Sequence, residues 1–193
     1  MKKEYFSIPN LMGYFRILMI PVFLFLYYKA TSQPDYLIAF LVLAVSLLTD
    51  LLDGWVARKF DMITDFGKAL DPVADKLTQG ALAIAVSFRY PFMVLFLIFF
   101  VCKELYMGTM GLYLKKKKNV WNGAKMYGKI CTVIIDVGTF FLLLFPQLPN
   151  TVANMIIFVM MIVMCYSLIR YILFHSSIIK GTEQRNKEVA SGL

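Results

Sequence analysis

Six apolar runs, each close to the length of a membrane-crossing helix, constrain this chain more than any other feature. They cover roughly residues 8–28, 36–52, 69–88, 92–114, 130–145 and 151–174. A helix needs about 20 mostly apolar residues to span a bilayer. Pro34 with Asp35, Pro91, and Pro146 with Pro149 and Asn150 mark the alternate turns. The stretch KKKKNVWNGAK separates the fourth run from the fifth. Of 193 residues, 60% are hydrophobic, against about 45–50% in a soluble domain. The predicted fold is all-α: an integral membrane, six-transmembrane-helix bundle.

Charge sets the expected orientation. Only 17–28 are apolar between Arg16 and Lys29, and only 77–88 between Lys76 and Arg89, so charged residues occupy one end of those spans. With the N-terminus in the cytoplasm, all 20 Lys and Arg except Lys29 and Arg89 lie on or toward the cytoplasmic side, as the positive-inside rule asks. The lysines at 115–118 read as a solvated loop against anionic headgroups. The net charge of +8 then needs no nucleic acid partner. We expect one catalytic domain over 1–180 and a short polar cytoplasmic tail over 181–193. The opening MKKEYFSIPN has the lysines of a signal peptide, but no small-residue cleavage site follows, so the first run is expected to be retained. Cys102, Cys131 and Cys165 show no paired spacing and read as small buried hydrophobes.

Against this background, residues 49–76 read TDLLDGWVARKFDMITDFGKALDPVADK and hold six of the twelve acidic residues. Asp50 and Asp53 stand three apart at the end of span two; Asp71 and Asp75 stand four apart at the start of span three. Each pair shares a helix face, and the connection is expected to bring the pairs together. Converging carboxylates require cations, and all-oxygen acidic sites suit Mg²⁺ or Mn²⁺. Two such ions suit phosphoryl transfer. Gly54 admits a ligand close to the backbone, and Arg58 offers a phosphate a fork of donors. Gly67 is placed in the turn before the second pair and Pro72 in a first helical turn. Asp61 and Asp65 read as solvated loop acids.

The pattern Asp50-x2-Asp53-Gly54-x2-Ala57-Arg58-x8-Gly67-x3-Asp71-x3-Asp75 resembles the signature of the CDP-alcohol phosphotransferases at every spacing. Ile8-Pro9-Asn10 with Arg16 and Pro21 is similar to the opening of the bacterial phosphatidylglycerophosphate synthases, and Gly128-Lys129-x2-Thr132 resembles their GKxxT segment. The resemblance implies six transmembrane helices, a homodimer, and a bacterial plasma membrane with the active site cytoplasmic. It implies transfer of a substituted phosphate from CDP-diacylglycerol to an alcohol, with CMP leaving. Asp50, Asp53, Asp71 and Asp75 would then hold two Mg²⁺ or Mn²⁺ ions, and Asp75 would serve as general base. Gly54, Ala57, Arg58 and Gly67 would line the CDP site.

A phosphate-bearing acceptor needs cations, and Lys103, Lys125, Lys129 and Arg170 are the candidates. Lys129 shares a face with Asp136, two turns on. Lys103-Glu104 stands where the similar synthases carry Arg-Glu. Glycerol 3-phosphate is the expected acceptor; phosphatidylglycerol (a cardiolipin synthase), an inositol phosphate or serine are the alternatives. Two rival classes are a membrane prenyltransferase, which would release diphosphate, and a divalent-ion transporter, whose acids would line a pathway near the midplane.

Overall fold

The computed structural model describes residues 7–59, 64–118 and 125–191; the side chains at 8–9, 50–51, 53–58, 65, 68–69, 117–118 and 180–191 lie outside that description. Among the described residues there are helices and short turns and no strand. The helices are α1 (Ile8–Lys29), α2 (Gln33–Lys59), α3 (Asp65–Ser87), α4 (Met93–Lys118), α5 (Met126–Leu144) and α6 (Asn150–Ser191). Each apolar run of the sequence maps onto one helix. Four of them, α1, α4, α5 and α6, are long and apolar enough to cross a membrane, and α2 carries a shorter apolar stretch, Gln33–Thr49. The chain is an all-helical integral membrane protein.

The helices form two compact units. The first holds α1, α2, α3 and residues 142–146. On α2 the inward positions are Tyr36, Ala39, Leu43 and Ser46, while Leu37, Ile38, Leu41, Val45 and Leu48 point outward. The inward spacing of three and four is that of a packed helix face. The outward residues are as apolar as the core, which is stable against lipid rather than water. α1 and α2 make an antiparallel hairpin, with Tyr27 and Tyr36 edge to face at 5.2 Å. The carboxylate half of a capping box starts α2. The Asp35 carboxylate accepts from the Ser32 hydroxyl at 2.7 Å and from the backbone N–H groups of Ser32 at 2.9 Å and Thr31 at 3.1 Å. Arg89 closes the same end, donating to the Ala30 carbonyl at 3.2 Å and lying 5.2 Å from the Tyr36 ring.

α3 is walled in. Ala74, Thr78, Ala81, Leu82, Ala83, Ala85 and Val86 are each at most 6% exposed; such small residues let neighbouring helices approach closely. Its start corrects the sequence reading at three positions. Thr64 is the N-cap and its Oγ1 accepts from the Gly67 N–H at 2.9 Å. Asp65 is therefore helical rather than in a loop, and Gly67 lies in the first turn rather than before it. Pro72 sits inside the helix, not in its first turn, so its missing N–H leaves the carbonyl of residue 68 without its usual bond. The glycine and proline had suggested a later start, but a threonine able to cap begins the helix sooner. Asp61 lies outside the described residues.

The second unit holds α4, α6 and most of α5. α6 buries Ala153, Ile157, Met160, Met164, Ser167, Tyr171 and His175 along one stripe, and α4 contributes Met93, Phe96, Phe100, Lys103 and Leu114. Gly138 on α5 admits Met160, whose Sδ would lie 2.6 Å from an added Cβ. The lysines at 115–118, expected in a loop, form the last turn of α4, where cations face the negative end of the helix dipole. The cysteines divide: Cys131 is buried, Cys165 half-buried and Cys102 exposed. The expectation of three buried thiols fails at Cys102, which lies on an outward face of α4.

Candidate active site

Three residues of α1 at three-residue spacing dock α3. Asn10, 2% exposed, donates from Nδ2 to Thr64 Oγ1 at 3.1 Å. A Cβ at Gly13 would meet Leu70 Cδ2 at 3.0 Å, and one at Gly67 would meet Asn10 Oδ1 at 2.7 Å. Arg16, 1% exposed, donates from Nη1 to Asp75 Oδ1 at 2.7 Å. The partners climb α3 from Thr64 through Leu70 to Asp75 as the α1 residues climb, so the two helices run parallel. Sequence reading noticed Asn10 and Arg16 but gave them no role. The visible signal was an Asn, a Gly and an Arg on one stripe of an apolar helix.

The two acids of α3 are where their spacing placed them. Asp71 and Asp75 stand on successive turns and both are exposed; the Asp75 side chain is 57% exposed. Asp50, Asp53, Gly54, Ala57 and Arg58 lie in the C-terminal part of α2, with side chains outside the described residues. The expected meeting of the two pairs thus has one half within the description. Among the described residues no group of three or more His, Cys, Asp or Glu gathers. The donor chemistry nonetheless fits a hard divalent ion: Asp71 and Asp75 offer only oxygen, on an open helix face, and Mg²⁺ or Mn²⁺ selects such ligands.

The cations suggested for an acceptor lie in the second unit. Lys103, 6% exposed, is tied to Glu104 at 2.7 Å. Adjacent residues do not face each other on a helix, yet the long lysine stem bridges the gap, so the ion pair is real. Lys125 places Nζ 4.3 Å from the Phe174 ring, and its backbone N–H donates to Tyr171 Oη at 3.3 Å. Tyr171 packs edge to face with Tyr127 at 4.7 Å and fits against Gly128, where a Cβ would collide with its hydroxyl. The glycine of the GKxxT segment is thus a seat for Tyr171. Arg170 is exposed and lies 5.7 Å from the Tyr127 ring. Lys129 is exposed on α5, and no ion pair joins it to Asp136 among the described residues. Sequence reading missed the aromatic residues here, including His175, whose Nδ1 lies 3.3 Å from Tyr106 Oη.

A family model described as CDP-alcohol phosphatidyltransferase matches residues 6–177. The chain belongs to the CDP-alcohol phosphatidyltransferase family. The match takes in every helix from α1 to α5 and α6 as far as residue 177, so it includes the Asn10–Thr64 and Arg16–Asp75 contacts. Among curated proteins, this chain is similar to several named "CDP-diacylglycerol--glycerol-3-phosphate 3-phosphatidyltransferase". The protein from Rickettsia typhi is 42% identical over 78 residues, which are 40% of this chain and 43% of that protein. The one from Pseudomonas fluorescens is 46% identical over 71 residues, 37% and 36% respectively. The Escherichia coli protein is 36% identical over 85 residues, 44% and 46% respectively. Each match spans less than half the length of the relative.

Proposed function

We propose that this chain transfers the phosphatidyl group of CDP-diacylglycerol to the hydroxyl of glycerol 3-phosphate, forming phosphatidylglycerophosphate and releasing CMP. The observation that carries the reading is the spacing from Asp50 to Asp75, with Gly54, Ala57, Arg58 and Gly67 between, set within a family match over 6–177. The names of the similar proteins support the donor and the acceptor. In the reaction the acceptor oxygen bonds to the phosphorus that carries diacylglycerol, and the bond from that phosphorus to the CMP oxygen breaks.

Asp50, Asp53, Asp71 and Asp75 would hold two Mg²⁺ or Mn²⁺ ions, whose positive charge would stabilise the diphosphate as CMP departs. Asp75 accepts the proton of the attacking hydroxyl. Arg58 binds the diphosphate through its planar fork, and Gly54, Ala57 and Gly67 leave room for the nucleotide. Lys103, Lys125, Lys129 and Arg170 are the cations that a phosphate-bearing acceptor would require. We read residues 1–180 as one catalytic domain that crosses a bacterial plasma membrane six times and pairs as a homodimer. Both termini, the tail over 181–193 and the active site face the cytoplasm.

The test is an acceptor screen with purified protein and radiolabelled CDP-diacylglycerol. Stoichiometric CMP and labelled phosphatidylglycerophosphate are expected with glycerol 3-phosphate. Chelation should stop CMP release, and Mg²⁺ or Mn²⁺ should restore it; rates unchanged in excess chelator would remove the metals. Product formation only with phosphatidylglycerol, an inositol phosphate or serine would replace the acceptor. Release of diphosphate, or metal flux into vesicles without CMP, would replace the reaction class.

A further inference from the structure

Arg16 is the most deeply buried cation among the described residues, at 1% exposure. An arginine enclosed in a membrane protein persists where an anion or a carbonyl answers it. Its Nη1 donates to Asp75 Oδ1 at 2.7 Å, and the two side chains are 2% and 57% exposed. That inequality matters. A pair that serves only to hide two charges buries both. Here the guanidinium is enclosed while the carboxylate stands open.

The enclosed partner is also held from elsewhere. Asn10, six residues earlier on the same stripe, is hydrogen-bonded to the cap of α3 at Thr64. Gly13, between them, lets α1 approach α3 until Leu70 fills the space a Cβ would need. The offset of Arg16 along α3 is therefore fixed by two further contacts. A guanidinium is planar and rigid, so it fixes the direction of a hydrogen bond as well as its length. Among the described residues Arg16 is the one hydrogen-bond partner of Asp75.

We propose that Arg16 is a positioning residue for Asp75: it grips one carboxylate oxygen and leaves the second, fixed in direction, for the acceptor proton or a divalent ion. The proposal rests on the reading of Asp75 given above. Groups that orient a metal-binding side chain are worth about 10–100-fold in affinity or activity. Lysine keeps the charge but offers a rotatable point donor, so Arg16→Lys isolates orientation from charge.

The experiment uses the full-length chain in detergent as wild type, R16K and R16Q. Three readouts are taken: Mn²⁺ binding without substrate from the EPR signal of the free ion, kcat and KM for CMP release from CDP-diacylglycerol, and Tm. R16K is expected to weaken Mn²⁺ binding and to lower kcat, each by about tenfold. KM for CDP-diacylglycerol should stay within about threefold and Tm within about 4 °C. R16Q should lower kcat further. Wild-type Mn²⁺ affinity and kcat in R16K would overturn the proposal, whether or not R16Q folds. A loss confined to Tm and the folded fraction would overturn it too, since a purely structural pair behaves that way. Wild-type protein that neither binds Mn²⁺ nor releases CMP would sink the underlying reading and this proposal together. An active wild type beside an unimpaired R16K would sink this proposal alone.

Discussion

Asp75 serves two neighbours, the buried Arg16 on one side and open solvent on the other, and Asp75→Asn separates those duties. The amide keeps an oxygen acceptor for Arg16 but loses the negative charge and the ability to take a proton. CMP release is expected to fall about 10²–10⁴-fold. Stability should fall by about 1–3 kcal/mol, because the enclosed guanidinium loses its counter-charge. Turnover near the wild-type rate in a folded D75N protein removes Asp75 from the role of base. Gly67 belongs to the same stripe. Its substitution by alanine would set a Cβ 2.7 Å from Asn10 Oδ1 and 3.0 Å from Thr64 Oγ1. The Asn10–Thr64 bond and the cap it supports must then shift, costing about 1–2 kcal/mol in a chemical-denaturation measurement; an unchanged midpoint would contradict the crowding. At this scale the acids were legible in the sequence, since four apart means one helix face. The partners of Asn10 and Arg16 were not, since they lie 54 and 59 residues away. Nothing local in a chain names a contact at that range.

Helix ends were harder to read than helix centres, for a physical reason visible at α3 and α4. Glycine, proline and lysine runs all suggest punctuation, but a cap or a continuing backbone ladder overrides them. Thr64 starts α3 ahead of Gly67, and α4 runs on through the lysines to residue 118. The start of α2 yields a testable case. Asp35 is partly exposed and precedes the apolar run that begins at Tyr36. Hydrogen bonds from the Ser32 hydroxyl first, then from the Ser32 and Thr31 N–H groups, hold its carboxyl at about 2, below the ordinary 3.8. The charged form is the one favoured by folding. The capping contribution is therefore present above about pH 4 and is lost as pH falls through about 2. Asp35→Asn removes that dependence. The gap in Tm between wild type and D35N should be widest above about pH 4 and should close on approach to pH of about 2. A gap that stays constant across the range would show that the carboxylate charge adds nothing to the cap.

For the whole molecule, the question that matters is how many times the chain crosses the membrane. α2 enters through its apolar stretch Gln33–Thr49, one of the shorter apolar helices among the described residues, and α3 falls short of the composition required of a span, yet neither helix is short of residues. Their 27 and 23 residues make rods of about 40 and 34 Å, against a hydrocarbon core of about 30 Å. Charges gather at the end of α2, with Asp50, Asp53, Arg58 and Lys59, and at the start of α3, with Asp65, Lys68, Asp71, Asp75 and Lys76. Residues shielded by neighbouring helices need not be apolar, and α3 is the most enclosed helix of its unit. On the proposed six crossings, the hairpin of α1 with α2 and the parallel run of α1 with α3 would carry the chain out, back and out again. Four crossings would instead leave Arg58, Lys59, Lys68 and Lys76 on the outer side, against the positive-inside rule. Lys59, exposed at the end of α2, distinguishes the two. With Cys102, Cys131 and Cys165 replaced, a cysteine introduced at residue 59 should resist an impermeant maleimide in intact cells and react once they are permeabilised. One introduced at Ser32 should react in intact cells. Labelling at 59 from outside would place α2 and α3 on the outer face, reduce the crossings to four, and move the aspartates to the wrong side for a cytoplasmic nucleotide.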